Sequence, residues 1–257
     1  MAKKKPKQLN PLVLAGIAAV LLIAAWLMQS LPVFIFVALA PLLAVAEQTD
    51  EGSVWSKSEL IVIALSAGFW AAALFRMEAL VPALVQGIAF ALCFVAFAFA
   101  KKHLGARLGT LPLLFFWLAG EYVLLKLSLF DRAVFLADSL QLKTTWARWT
   151  VHTGYLGISL WILLANFSLH QAVLRGTLHR PFLVAFFLVV LAPLAYNVSL
   201  NTPGIDRQAL ERLYGNGAVD SLPPEYVNRG EWIARTAAWI SVLILLFALV
   251  KSNTRKK

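Results

Sequence analysis

Residues 80–100, LVPALVQGIAFALCFVAFAFA, run without a charge over the length a helix needs to cross a bilayer core, ~20 residues. Other predominantly apolar runs recur along the chain, at about 11–28, 31–46, 60–75, 111–129, 154–173, 182–198 and 232–250, the fourth of these holding Glu121 and Lys126 and the last Arg235. Such repetition leaves few options, because in lipid every backbone polar group must be satisfied within the segment or the bundle. With 60% of 257 residues hydrophobic and 14% charged, a soluble core could not hide the apolar surface. The expected fold is an all-α integral membrane protein: a bundle of about eight transmembrane helices with a small extracytoplasmic cap. Residues 1–10 form a basic tail, 11–200 a seven-span bundle, 201–231 an outward loop, and 232–257 the last span with a basic tail. The first run is longer than the apolar region of a signal peptide, which favours an uncleaved first span.

The net charge of +10 does not indicate nucleic acid, since the cations sit at the chain ends and beside the apolar runs. With eight spans, fourteen Lys and Arg fall on the side of the termini and eight on the other, which places both termini in the cytoplasm. The stretch of 146–173, WARWTVHTGYLGISLWILLANFSLHQAV, then begins as an aromatic and basic collar on the outer face: Trp146, Arg148, Trp149 and His152. Residues 130–153 read as an interfacial loop with a short amphipathic piece, lying on the membrane.

Polar groups inside the spans narrow the site. Glu121 is a carboxylate in the outward half of span five, and an intramembrane carboxylate is either paired or functional. Lys126, about 140° round the helix, does not share its face. Arg148 or His152 is the better partner by position. Two roles remain open for Glu121: a tie between spans five and six, or a contact with a lipid headgroup or the polar part of a lipidated substrate. Asn166 is expected to form an interhelical hydrogen bond, and Gly154, Gly157 and Ser159 to let another helix approach. His152 stands where phospholipid esters lie and is a candidate general base, although a boundary histidine also serves as a polar anchor. His103, His170 and His179 lack metal-ligand spacing and read as interfacial. The lone Cys93 excludes an internal disulfide. No phosphate loop, zinc helix or nucleophile elbow is present, and neither a metal nor another cofactor is expected.

Several stretches together resemble the membrane portion of bacterial apolipoprotein N-acyltransferases. The early hairpin with FVALAPLLAVAE is similar to the family's first two spans. FFWLAGEYVLLK resembles its span-five tryptophan and glutamate, here Trp117 and Glu121. FLADSLQLKTTWARWTVHTGYLGISLWILLAN resembles its loop and sixth span, covering Trp149, Thr153, Gly154, Gly157, Ser159 and Asn166. RGEWIARTAAWISVLILLFALVK looks like its last span. The resemblance implies eight spans in the bacterial inner membrane and work in lipoprotein biosynthesis. In that family a nitrilase-like domain with a Glu-Lys-Cys triad lies between spans seven and eight. Residues 201–231 stand there instead and contain no cysteine, so no catalytic residue carries over.

The expected function is therefore that of a pseudoenzyme: an N-acyltransferase-like membrane protein that binds or presents phospholipid or lipoprotein acyl chains. The candidate lipid-binding residues are Trp117, Glu121, Arg148, Trp149, His152, Gly154, Ser159 and Asn166. A second reading is the membrane subunit of a split N-acyltransferase with a separate nitrilase-like or envelope partner. A third is a transacylase using His152 with Glu121. A transporter has the least support, because no span is visibly broken at mid-membrane.

Overall fold

The computed structural model describes residues 9–28, 32–48, 54–105, 110–127, 133–175, 178–200 and 224–254. Every regular element among them is helical. The helices are α1 (Pro11–Leu27), α2 (Ile35–Ala38), α3 (Ala40–Glu47), α4 (Val54–Ala72), α5 (Leu80–Leu104), α6 (Leu111–Leu127), α7 (Leu156–Leu169), α8 (Arg180–Val198) and α9 (Pro224–Thr254). Four stretches are both long and apolar enough to cross a membrane: Met77–Leu104, Leu156–Leu174, Arg180–Val198 and Trp232–Thr254. Shorter apolar helices cover Pro11–Leu27, Pro32–Glu47 and Leu111–Leu125. The expected outward loop at 201–223 lies outside the described residues. The backbone of 224–231, expected in that loop, is already the start of α9.

Composition decides which helices sit at the centre. The Leu156–Leu174 stretch is 72% buried, with Ser159, Asn166, Ser168 and Gln171 turned inward. Arg180–Val198 is only 6% buried and exposes Phe182, Val184, Phe187, Leu188 and Leu191. A helix apolar all round that is not covered by protein needs an apolar surrounding. Around α7 lie α2, α6, α8 and α9. On the far side α1, α4 and α5 form a second layer. There the small residues Ala15, Ala18 and Ala25 of α1 are buried, and Gly68 of α4 comes so close to Leu22 that an added Cβ would stand 2.9 Å from the Leu22 Cβ. Small residues allow the backbone approach that drives helix association where water does not.

Two features depart from the sequence expectation. The second span is broken: α2 ends at Ala38, Leu39 is a turn, and α3 restarts at Ala40. Pro41 explains the position, since it has no N–H to bond the carbonyl one turn back and its ring crowds that carbonyl. The expectation of uninterrupted spans is thus corrected. The second departure is residues 130–153, expected on the membrane surface. From Leu136 to Val151 they form a long 3-10 helix. It packs against α7 and α8, and Leu136, Ala137, Ser139, Leu140, Ala147 and Thr150 are buried. Runs of 3-10 helix this long are uncommon because their hydrogen bonds are poorly aligned, so outside contacts must hold this one.

Candidate functional site

Those outside contacts converge on Glu121. One of its carboxylate oxygens, Oε1, accepts from Trp117 Nε1 at 3.2 Å and from the Leu136 N–H at 3.0 Å. The Leu136 N–H is one of the donors left free at the start of a helix, and an anion there is favoured by the helix dipole. The next free donor, Ala137 N–H, goes to Ser159 Oγ at 3.3 Å, and the Ser159 hydroxyl also faces the Glu121 carboxylate. Asp138 completes the start of the 3-10 helix, accepting from the Phe135 N–H at 2.8 Å and from the Tyr155 hydroxyl. On the α5 side, Gln86 exchanges two hydrogen bonds with the Val134 backbone. Glu121 and Ser159 are fully buried. The carboxylate therefore ties α6 to α7 through the segment between them.

The partners expected for Glu121 are corrected by this geometry. Arg148 donates to the Leu200 carbonyl at 3.0 Å, and His152 Nε2 pairs with the Tyr196 hydroxyl at 3.2 Å. Both partners belong to α8 or its end. Position along the membrane normal suggested Arg148 and His152; the folded-back 3-10 helix instead brings its own N-terminus to Glu121. Among the described residues His152 and Glu121 share no hydrogen bond or ion pair, so the expected acid–base couple is not assembled.

Asn166 performs the matching task at the break in the second span. Its Oδ1 accepts from Leu39 N at 2.8 Å and Ala40 N at 2.9 Å, while its Nδ2 donates to the Ile35 carbonyl at 2.8 Å and to Ile162 of its own helix at 2.9 Å. Both donors and both acceptor lone pairs are thereby used, three of the four on backbone groups at the break. Asn166 is fully buried.

The two clamps border one cleft. Leu39, held by Asn166, and Leu136 and Trp117, both bonded to Glu121, line it together with Leu22, Trp26 and Phe69. The cleft is narrow: between its walls there is free space of about 10 Å³, room for one water-sized group. Its walls are apolar. Trp117 is stacked on Phe90, ring centroids 4.3 Å apart, which fixes the indole that donates to Glu121. Among the described residues Trp26 Nε1 is buried without a hydrogen-bond partner, while the Glu121 carboxylate is faced by the Ser159 hydroxyl beside its two N–H donors.

The remaining predicted residues form a separate outer group. The Trp149 N–H donates to Asn197 Oδ1 at 2.9 Å, Asn197 Nδ2 donates to the Trp146 carbonyl, and the Trp149 ring meets Trp161 edge-on at 5.5 Å. Gly154 has φ +75°, the left-handed conformation that ends the 3-10 helix and turns the chain into α7. At Gly157 a Cβ would fall 2.3 Å from Thr153 Oγ1. These residues join the collar to α7 and α8 and are not part of the cleft.

At the opposite end of the bundle is a charged cluster missed in the sequence. Glu47, ending α3, receives Arg175 Nη2 at 2.7 Å and Nε at 3.0 Å, with Lys101 and His170 each at 3.6 Å. The Glu47 hydrogen bond, then partly offset by burial, holds the Arg175 guanidinium above its ordinary pKa. His170 opens a π-helical turn, His170–Leu174, that continues α7. Apart from adjacent basic residues, the signal available in sequence was a Glu at the end of an apolar run. Asp138, Asn197 and Trp26 were missed as well, each because its role depends on an element distant in the chain. No protein-family model, curated protein or solved structure matches this chain, so the likeness to N-acyltransferases rests on the motifs quoted above.

Proposed function

We propose that the chain is an eight-span protein of the bacterial cytoplasmic membrane, with both termini in the cytoplasm, that binds and presents acyl chains of phospholipids or lipoproteins and carries no acyl-transfer chemistry of its own. The observation that supports this reading is the apolar cleft between α1, α4, α6 and the broken second span. Leu22, Leu39, Leu65 and Phe69 form an apolar seam that an acyl chain would enter by parting these side chains, since the seam as it stands has room for about one water-sized group. Glu121 and Asn166 keep the wall in shape by satisfying backbone groups that would otherwise be open to hydrocarbon. The sole cysteine, Cys93, is buried in α5 with its thiol against the Phe116 carbonyl at 3.3 Å. It is a packing residue rather than an acyl carrier, which agrees with a presenting role.

The test is native mass spectrometry of the full chain released from membranes in mild detergent. Retained phospholipid or lipoprotein is the expected result. Protein that carries neither, together with unchanged lipoprotein acylation in cells lacking it, refutes the reading. A stoichiometric nitrilase-like chain in the same spectrum would replace it with that of a membrane subunit of a split acyltransferase.

A further inference from the structure

We propose that the turn joining α4 to α5 is a lipid-docking surface, seated where the headgroups of a phospholipid layer give way to its acyl chains, at the end of α5 opposite Lys101 and Glu47. Leu74 and Phe75 in this turn have φ of +54° and +57°. The Phe75 N–H reaches the Trp70 carbonyl at 3.0 Å and the Leu74 N–H the Ala71 carbonyl at 2.9 Å, a pattern that closes many helices. Its left-handed position usually falls to Gly, because a side chain there crowds the backbone. Here two large apolar residues hold consecutive left-handed positions. The turn is firmly built all the same. The Trp70 indole N–H donates to the Arg76 carbonyl at 2.9 Å, and the Trp70 and Phe75 rings meet edge-on with centroids 5.1 Å apart.

Backbone strain of this kind persists where something compensates it. The protein interior compensates little, since Leu74 is 60% exposed and Met77, two residues past Phe75, is 74% exposed. What meets these side chains lies outside the chain and is apolar. The adjoining helix identifies it. The 22 residues from Ala79 to Ala100 carry no charge and, at 1.5 Å each, measure about 33 Å, against ~30 Å for the hydrocarbon of a bilayer. With Lys101 at one boundary, Glu78 marks the other, and residues 74–77 stand at that level. The turn also continues the exposed apolar face of α5 formed by Val81, Leu84, Ile88 and Leu92, so lipid that covers this face reaches the turn without a gap. Trp70 supplies the amphipathic ring common at this depth, and the exposed charges of Arg76 and Glu78 keep the turn from sinking further. Leu65, Gly68 and Phe69, just ahead of Trp70 on α4, line the cleft, so the anchored turn fixes how deep that wall stands in the layer.

The experiment places a nitroxide label on the full chain in nanodiscs of phosphatidylcholine and phosphatidylglycerol, at Met77→Cys, Leu92→Cys and Asn253→Cys in turn. It compares collisions with oxygen, which concentrates in hydrocarbon, and with a neutral nickel chelate, which stays in water. Cys93 is buried with its thiol against the Phe116 carbonyl, and the unsubstituted chain serves as the blank for its labelling. Leu92, 61% exposed within α5, is the hydrocarbon reference, and Asn253, exposed near the end of α9, is the water reference. The Met77 label is expected to favour oxygen over the chelate severalfold more than the Asn253 label does, and less than the Leu92 label. A Met77 label that matches Asn253 puts the turn in water and overturns the proposal. One shielded from both reagents means that protein, a second copy or another chain, covers the turn, and overturns it equally. Either result leaves the acyl-chain reading of the cleft standing. A Leu92 label that matches Asn253 removes the span itself and overturns both.

Discussion

Replacing Asn166 by Leu should unfold the bundle more readily than any other single polar deletion in α7. Leu is close in volume, so the change chiefly removes hydrogen bonds. Three interhelical bonds are lost: Leu39 N–H and Ala40 N–H lose their acceptor, and the Ile35 carbonyl loses a donor. All three backbone groups belong to the break in the second span, where the Leu39 N–H otherwise reaches only the Val37 carbonyl, two residues back, and Pro41 supplies no N–H to carry the helix across. Leaving a buried group unpaired costs ~1–3 kcal/mol. Side-chain bonds between membrane helices average nearer ~0.6 kcal/mol, because the unfolded helices find other partners. Three groups together therefore place the loss at about 2–5 kcal/mol. Ser168→Ala is the control. The Ser168 hydroxyl bonds only the Leu164 carbonyl of its own helix, at 2.8 Å, so its removal should cost under ~0.5 kcal/mol. Asn166→Asp should lie between the two when protonated, since the acid keeps an acceptor for both N–H groups and a donor for Ile35. The assay is reversible unfolding in mixed micelles, followed by far-ultraviolet circular dichroism. If Asn166→Leu unfolds at the same point as Ser168→Ala, the break does not depend on the amide and the account of the second span is wrong.

Three further outcomes follow from other contacts. Gly157→Ala should destabilise by about 1–3 kcal/mol in the same assay, because its Cβ would overlap Thr153 Oγ1, and pairing it with Thr153→Gly should recover most of the loss. A double-mutant cycle on Glu47→Gln and Arg175→Gln should give a coupling of roughly 0.5–1 kcal/mol, since the pair is well aligned but Arg175 is more than a third exposed. Asn197→Ala frees the Trp149 N–H and the Trp146 carbonyl, so amide hydrogen exchange should quicken through 146–152 and stay unchanged at Leu136 and Ala137, which Glu121 and Ser159 hold independently.

Much of the helical layout was legible from the runs of uncharged residues, because a span announces itself by length and composition alone. The elements at 80–104 and 180–198 start and stop within a few residues of the apolar runs for that reason. Asn166 was also visible, since an amide has no reason to sit in hydrocarbon unless it bonds something. Its partners were not, as they lie 126 and 127 residues away. Pro41 was the one local sign of the break, and a proline two residues into a restarted helix reads the same in sequence as one early in a continuous span. The error over Glu121 had a different origin. Arg148 and His152 share its membrane face if 130–153 lies flat, but Asp138 and the Leu136 N–H turn that segment inward, where its first donors reach the carboxylate before any cation does. Polar, weakly periodic sequence gave no sign of a 3-10 helix sixteen residues long. Trp26 looked like one more apolar-span residue until α4 and α6 closed around it.

The central claim is that an acyl chain enters the cleft, and photocrosslinking tests it most directly. The full chain would be placed in nanodiscs containing a phospholipid with a photoactivatable group near the end of its acyl chain, irradiated, and mapped by peptide mass spectrometry. Crosslinks on Leu22, Trp26, Leu65 and Phe69, competed away by excess of the same phospholipid without the photoactivatable group, are the predicted result. Crosslinks confined to Val184, Leu188 and Leu191 of α8 and Leu243, Leu246 and Phe247 of α9, the exposed apolar faces, would contradict it and reduce the bundle to one that meets lipid only as solvent.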